Sequence, residues 1–274
     1  MKSILLLELK RGFKKKTFFF SVILGITIAT IQFVLEVLPL SFQLDEYLSY
    51  SKTMSEISWL FANWLGGHLT SIYSYVFFLL IPVIAILPFA TSAFEDSKSG
   101  LIKNIVVRVN KRIYYVAKYI AVFLTGGTAA ILPLVFNLAL SATVLPSVLP
   151  QKNSSTFALY GTHVGTELFF SHPYGYICVY LLLDFIFAGL IATTSLMVGL
   201  IAEHKFEVLF APFIGYIFVN SVCNLLGISE NSPVCFLRPG YGIINLGIVV
   251  LIGVTLFVMT FGVYVLRGQK KDVV

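Results

Sequence analysis

Apolar residues in this chain gather into long runs separated by short polar gaps. A helix needs about 20 apolar residues to cross a bilayer. Six stretches reach that length: 18–40, 72–94, 113–138, 174–201, 207–227 and 243–266. The pattern predicts an all-α, polytopic membrane protein with six transmembrane helices, forming a single domain over 1–274. The longest gaps, 41–71 and 146–173, are too short to bury a core of their own.

The basic residues then orient the spans. Segment 1–17 carries Lys2, Lys10, Arg11, Lys14, Lys15 and Lys16. The gap between spans two and three, with the first turn of span three, carries Lys98, Lys103, Arg108, Lys111, Arg112 and Lys118. Lys205 precedes span five, and Arg267, Lys270 and Lys271 form the tail. The remaining gaps hold only Lys52, Lys152 and Arg238, a division of sixteen against three. Bases stay cytoplasmic, so both ends are expected inside, in an inner (plasma) membrane that the composition marks weakly as bacterial.

Composition sharpens this picture. The chain is 58% hydrophobic with a net charge of +6. Its bases sit in juxtamembrane clusters, where they meet the lipid bilayer and its anionic headgroups, so no nucleic-acid partner is expected. No GxxxxGK[ST] phosphate loop occurs, so this chain is not expected to bind ATP. The basic start leads into an apolar run longer than a signal-peptide core, with no A-x-A site after it, and reads as a retained span.

Smaller signals refine single regions. In 3–16, Leu5, Leu9 and Phe13 share one helical face, while Glu8, Lys10, Arg11, Lys14 and Lys15 populate the rest. This reads as an interfacial helix or, more plainly, as a basic stop that orients span one. Trp59 and Trp64 are expected in the outer interface. Pro82, Pro88, Pro133 and Pro212 predict kinks, which membranes tolerate where neighbours satisfy the freed carbonyls. Gly189 with Thr193, and Ser195 with Gly199, predict close helix packing. Cys223 and Cys235 flank the last external loop and are candidates for a disulfide, whereas Cys178 reads as packing. His163 and Glu167 are four apart, which invites a metal reading. Solvated loop residues are the commoner case, and no metal site is assigned.

The stretch with most bearing on function is the cytoplasmic gap FEDSKSGLIKNIVVRVNKRIYYVAKYI, 94–120. Ser97 or Ser99 is a candidate cap for a short helix, with Glu95 and Asp96 at its favourable end. Leu101, Ile102, Ile105 and Val106 make one apolar stripe. A stripe on a charged element outside the membrane needs a partner protein or the bilayer surface to cover it.

An acidic pair leaving span two, a glycine soon after, an apolar helix, a basic turn and a lysine entering span three together resemble the permease subunits of ABC-2 type ABC transporters. The resemblance implies that 95–112 is a coupling-helix loop docking on a separate ATPase subunit, and that 1–17 is the elbow helix. By that match Glu95 is the family's acid, Gly100 its glycine, Arg112 the arginine closing the turn and Lys118 the lysine entering span three. Asp96, Leu101, Ile102, Ile105 and Val106 complete the expected ATPase-subunit interface. This chain has Val109 where the family often has proline, so the turn must form otherwise, with Asn110 the candidate. The resemblance further implies a second permease half, identical or related. It places ATP and Mg on the partner ATPase, with no cofactor in this chain, and implies export of an amphipathic cargo such as a drug, peptide or lipid.

Two other readings stay open. An ion-coupled secondary transporter or channel would use Asp184, the one acid deep in a span. Asp184 is either packing polarity or a contact in a translocation path, with Asn137, Asn220 and Asn224 as companions. An intramembrane enzyme would have to use Glu203 and His204 at the inner end of span four, but no HExxH, carboxylate pair or GxSxG accompanies them. No catalytic residue is assigned.

Overall fold

A computed structural model describes residues 2–43, 59–150, 165–239 and 245–270. Lys52, Lys152, His163 and Lys271 lie outside them. Among the described residues every regular element is a helix. In chain order these are α1 Lys2–Lys14, α2 Lys16–Phe42, α3 Trp59–Asn63, α4 Ile72–Ile86, α5 Ser92–Lys98 and α6 Leu101–Val106. Then follow α7 Lys111–Ser141, α8 Thr166–Ser171, α9 Pro173–Gly199, α10 Lys205–Leu225, α11 Pro233–Phe236 and α12 Leu246–Arg267. Both α2 and α12 contain one π turn, at Phe33–Val37 and Val263–Arg267.

Among the described residues five helices are long and apolar enough to cross a membrane: α2, α7, α9, α10 and α12. The expected second span is shorter. Its helix α4 has 15 residues, about 22 Å at 1.5 Å each. Turns at 87–91 then separate it from α5. Pro88 explains the break, because it supplies no amide proton to the carbonyl four residues back and clashes with it.

The freed carbonyls are satisfied from other helices. Pro82 deprives Phe78 O, which accepts instead from the Tyr216 hydroxyl of α10 (2.9 Å). Pro88 deprives Ile84 O, which accepts from Ser21 Oγ of α2 (2.5 Å). The prolines of α4 thus tie it to α10 on one side and α2 on the other.

Helices α7 and α9 form the centre. A Cβ at Gly126 would lie 2.5 Å from Ala192 Cβ, and one at Gly189 only 2.8 Å from Phe123 O, so the two backbones meet through their small residues. The outer helix α12 holds to this centre through three hydroxyls: Tyr119 OH lies 2.9 Å from Thr260 Oγ1, and Thr193 Oγ1 3.3 Å from the same atom.

Trp59 and Trp64 are each 1% exposed, so their rings pack against other residues of the chain instead of facing outward. On α1, Leu9 and Phe13 of the expected apolar face pack on the core, Glu8 and Gly12 are buried beside them, and Leu6 and Leu7 are more than half exposed. Cys223 is a free thiol and forms no disulfide with Cys235.

Two contacts place the chain ends. Glu8 of α1 meets Lys118, and Gly268, just past α12, packs on the Tyr115 ring. The first and last helices therefore reach the same end of α7.

Candidate functional site

That end of α7 holds a buried cluster of charge. Lys118 sits wholly enclosed among the apolar residues of the first turns of α7, and its Nζ donates to Glu8 Oε2 (2.6 Å) and Asp96 Oδ2 (2.5 Å). Arg11 Nη1 donates to Glu8 Oε1 (2.8 Å), and Arg11 Nη2 to Asp96 Oδ1 (2.7 Å). The Tyr114 hydroxyl donates to Asp96 Oδ2 (2.9 Å). The Phe89 ring centre lies 4.7 Å from the Lys118 ammonium and covers its remaining side. Two acids face two bases, so the cluster is neutral and can be buried, as isolated charges cannot.

Local structure delivers these groups. Gly12 brings α1 against α7, where a Cβ would lie 2.7 Å from Thr125 Cγ2. This close approach lets Glu8 reach Lys118. Gly100, at φ 72°, takes the left-handed conformation that ends α5 and turns the chain into α6. Neither Ser97 nor Ser99 caps α6; Ser99 Oγ donates to Asp96 O instead (3.4 Å). Asn110 Oδ1 accepts from Arg112 N (2.9 Å) and caps α7, which makes the turn without a proline.

Glu95, beside Asp96, binds two more elements. Its Oε2 accepts from Lys15 Nζ, at the α1–α2 junction (2.7 Å), and its Oε1 from Lys205 Nζ, at the start of α10 (2.5 Å). Burial is the largest influence on both acids and pushes their carboxyls up. At Asp96 the hydrogen bond from Arg11 and then the charge of Lys118 outweigh it and hold the group below its usual range. At Glu95 the hydrogen bonds from Lys15 and Lys205 do the same.

The expected interface residues divide into two sets. Asp96 and Ile102 are buried, at 3% and 6% exposure, and face the bundle. Leu101, Ile105 and Val106 are half-buried, and Arg112 is exposed. Val107, outside the expected set, is 88% exposed. Between α1 and α6 lies a cleft of ≈650 Å³, with Ile4, Leu7, Ile105 and Val107 among its walls. Glu8, Arg11, Lys15, Tyr114 and Lys205 were not singled out from the sequence. A signal for them existed, since Glu8 is the one acid in a basic segment and Lys118 stands in an apolar run.

The expected pathway residues do not share a hydrogen-bond network. Asn137 uses all its groups elsewhere: its Nδ2 donates to Ala29 O and Gln32 Oε1 (both 2.9 Å), and its Oδ1 accepts from Leu65 N (2.7 Å). Asn220 Oδ1 accepts from Ser232 Oγ (2.7 Å), and Asn224 is exposed. Asp184 is 1% exposed, and its Oδ1 has no hydrogen-bond partner among the described residues. A separate cleft of ≈620 Å³, between α7, α9 and α12, is walled by Phe123, Leu183, Phe187, Val250, Phe257 and similar side chains.

No protein-family model, curated protein or solved structure matches the chain.

Proposed function

We propose that this chain is the membrane-spanning permease subunit of an ATP-driven transporter of the ABC-2 type. One observation carries the reading. The short α5–α6 element is ion-paired through Glu95 and Asp96 to α1, α7 and α10 at once. A push on α6 is thereby delivered to three membrane elements, as a subunit moved by a separate ATPase requires.

The arrangement of bases supports the orientation. Lys15, Lys118 and Lys205 meet at one end of the bundle, and Arg238 bonds to Leu69 O at the other. With the bases inside, both chain ends are cytoplasmic. Five long helices alone would leave the ends on opposite sides, so α4 with its continuation makes a sixth crossing. The elbow helix is α1, and the ATPase docks over Leu101, Ile105, Val106 and the exposed Val107. A second permease half, identical or related, completes the pathway in a bacterial inner membrane, and the apolar cleft beside α12 suits the hydrocarbon part of an amphipathic cargo leaving the cell.

The test is co-purification with an ATP-hydrolysing subunit from the native membrane. Val107→Asp should abolish it without lowering the unfolding temperature, because Val107 supports little of the fold. Transport by the purified chain alone, without ATP, overturns the reading. That result would favour an ion-coupled transporter, for which the buried Asp184 Oδ1, without a hydrogen-bond partner among the described residues, is the supporting observation. Asp184→Asn would then abolish the response to an ion gradient.

A further inference from the structure

The cleft between α7, α9 and α12 differs from an ordinary ligand site in the chemistry of its walls. Its volume of ≈620 Å³ falls within the range of about 300–1,000 Å³ usual for ligand pockets, but such pockets carry a few placed polar groups. Here Tyr119 alone among the wall residues carries a polar side-chain atom. Its hydroxyl is engaged with Thr260 Oγ1 (2.9 Å) and accepts from Thr193 Oγ1 (3.4 Å), which leaves the ring to the cleft. A peptide would bury amides against these walls without a partner, at about 1–3 kcal/mol each. A hydrocarbon chain leaves no polar group unsatisfied there. Val250, Val254 and Phe257 are 57%, 54% and 46% exposed, so the cleft opens to the side of the bundle. Its α12 wall runs from Leu246 to Phe261, about 22 Å at 1.5 Å per residue. One leaflet's acyl chain occupies half of a hydrocarbon layer about 30 Å thick, and the wall is long enough for it. Gly253 keeps the wall open, since a Cβ there meets the Phe187 ring at 3.4 Å and a longer side chain would fill the cleft.

The basic end of the cleft supplies the opposite chemistry. Val116, Tyr119 and Phe123 form one stripe along α7, at intervals of three and four residues, and Arg112 continues that stripe by one turn. Arg267 ends α12. The two helix ends adjoin: the Tyr115 and Tyr264 ring centres lie 5.1 Å apart, and Gly268 packs on the same Tyr115 ring. Arg112 and Arg267 are both exposed, and among the described residues neither makes an ion pair. Three acids of this end, Glu8, Glu95 and Asp96, are bound to other cations.

We propose that this cleft binds an anionic phospholipid, with one acyl chain along α9 and α12 and the phosphate at Arg112 and Arg267. A guanidinium presents parallel N–H donors that match phosphate oxygens. Apolar walls with two cations at one end complement such a lipid in both of its parts, whereas a zwitterionic lipid brings a cation of its own to the arginines. The lipid comes from the leaflet at the basic end of the bundle, where anionic headgroups attract Lys and Arg. Only the naming of that leaflet as cytoplasmic rests on the transport reading. The amphipathic molecule suited to this cleft is thereby narrowed to an anionic lipid.

The test uses the full chain purified in detergent, with bound lipid counted by native mass spectrometry. The probes are dioleoylphosphatidylglycerol, dioleoylphosphatidylcholine and glycerol phosphate, which carries the charge without the chains. The parent should hold a phosphatidylglycerol about tenfold more tightly than phosphatidylcholine and should not retain glycerol phosphate. Arg112→Gln and Arg267→Gln should each lose about tenfold toward phosphatidylglycerol, the equivalent of about 1.4 kcal/mol, and leave phosphatidylcholine unchanged. Gly253→Leu should abolish the tight copy. Val250→Phe, at an exposed wall position, is a second plug that removes no packed side chain. Gly215→Leu on α10, where a Cβ meets nothing within 4 Å, should bind as the parent does. Equal affinity for the two lipids, a tight copy that persists in both plug variants, or tight retention of glycerol phosphate overturns the proposal. So does a protein dimer that Gly253→Leu dissolves, since a second copy of the chain would then fill the cleft. Neither ATP nor a partner subunit enters the measurement, so loss of lipid binding leaves the coupling reading standing, and absence of an ATPase leaves lipid binding standing.

Discussion

The ammonium of Lys118 lies 2.6 Å from Glu8 Oε2, and neither side chain reaches solvent. The two residues are 110 apart in the chain. Taking a charge out of water costs several kcal/mol even after relaxation, and the pairing repays this only when geometry is good and the remaining protons and lone pairs are used. Arg11, Asp96 and Tyr114 use them here, so each member is worth more in place than the pair would be alone.

Lys118→Met should lower stability by about 3–5 kcal/mol, because Glu8 and Asp96 then share a buried site with Arg11 as their one remaining cation. Glu8→Gln keeps an acceptor and should do less damage. Thermal unfolding of the purified protein in detergent measures both. A Lys118→Met variant as stable as the parent would show that the cluster does not hold α1 to α7.

The same cluster sets the response to acid. Asp96 and Glu95 titrate below their usual values in the folded protein. A depressed carboxyl contributes stability above its unfolded pKa and loses it as pH falls through the folded one. Stability should therefore be flat in this respect above about pH 5 and decline below about pH 4, the ordinary carboxylate range. In Asp96→Asn the acid limb should be shallower, as melting curves across that range would record.

Tyr216→Phe should cost about 1–3 kcal/mol, since it strands the buried Phe78 carbonyl that Pro82 leaves without a helix partner. Pro82→Ala restores an amide proton to that carbonyl, so the double variant should recover most of the loss. Additive effects in the double-mutant cycle would mean that the hydroxyl is not substituting for the helix bond.

Orientation is open to direct labelling. Cysteines at Val107 and Leu149 are both well exposed. On intact cells an impermeant maleimide should modify the Leu149→Cys protein and leave the Val107→Cys protein unreacted until the membrane is opened. The reverse pattern would put the α5–α6 element outside and remove the basis for an ATPase partner.

Much of the architecture is already written in the periodicity. Long apolar runs have one outcome in a bilayer, because a spanning segment must satisfy its backbone within itself. The ends of α7, α9 and α10 accordingly fall within a few residues of the apolar boundaries. Gly100 and Asn110 were legible for the same local reason, a left-handed turn and a side-chain cap, each decided by neighbours in sequence.

The rest depended on contacts that no local rule contains. The inward face of α1 carries Glu8 because Lys118 awaits it on another helix, and amphipathicity alone turns a glutamate outward. Trp59 and Trp64 lie buried where the side chains of Gln32 and Asn137 bond to Asn63 O and Leu65 N, the backbone groups around the turn that ends α3. The breaks in α4 are tolerable because Tyr216 and Ser21 stand opposite the right carbonyls. Sequence determines where a chain can enter the membrane, since apolar burial in lipid is summed along a run. Tertiary structure decides which polar groups may enter with it, since a buried charge or carbonyl is acceptable only where a distant residue supplies its partner.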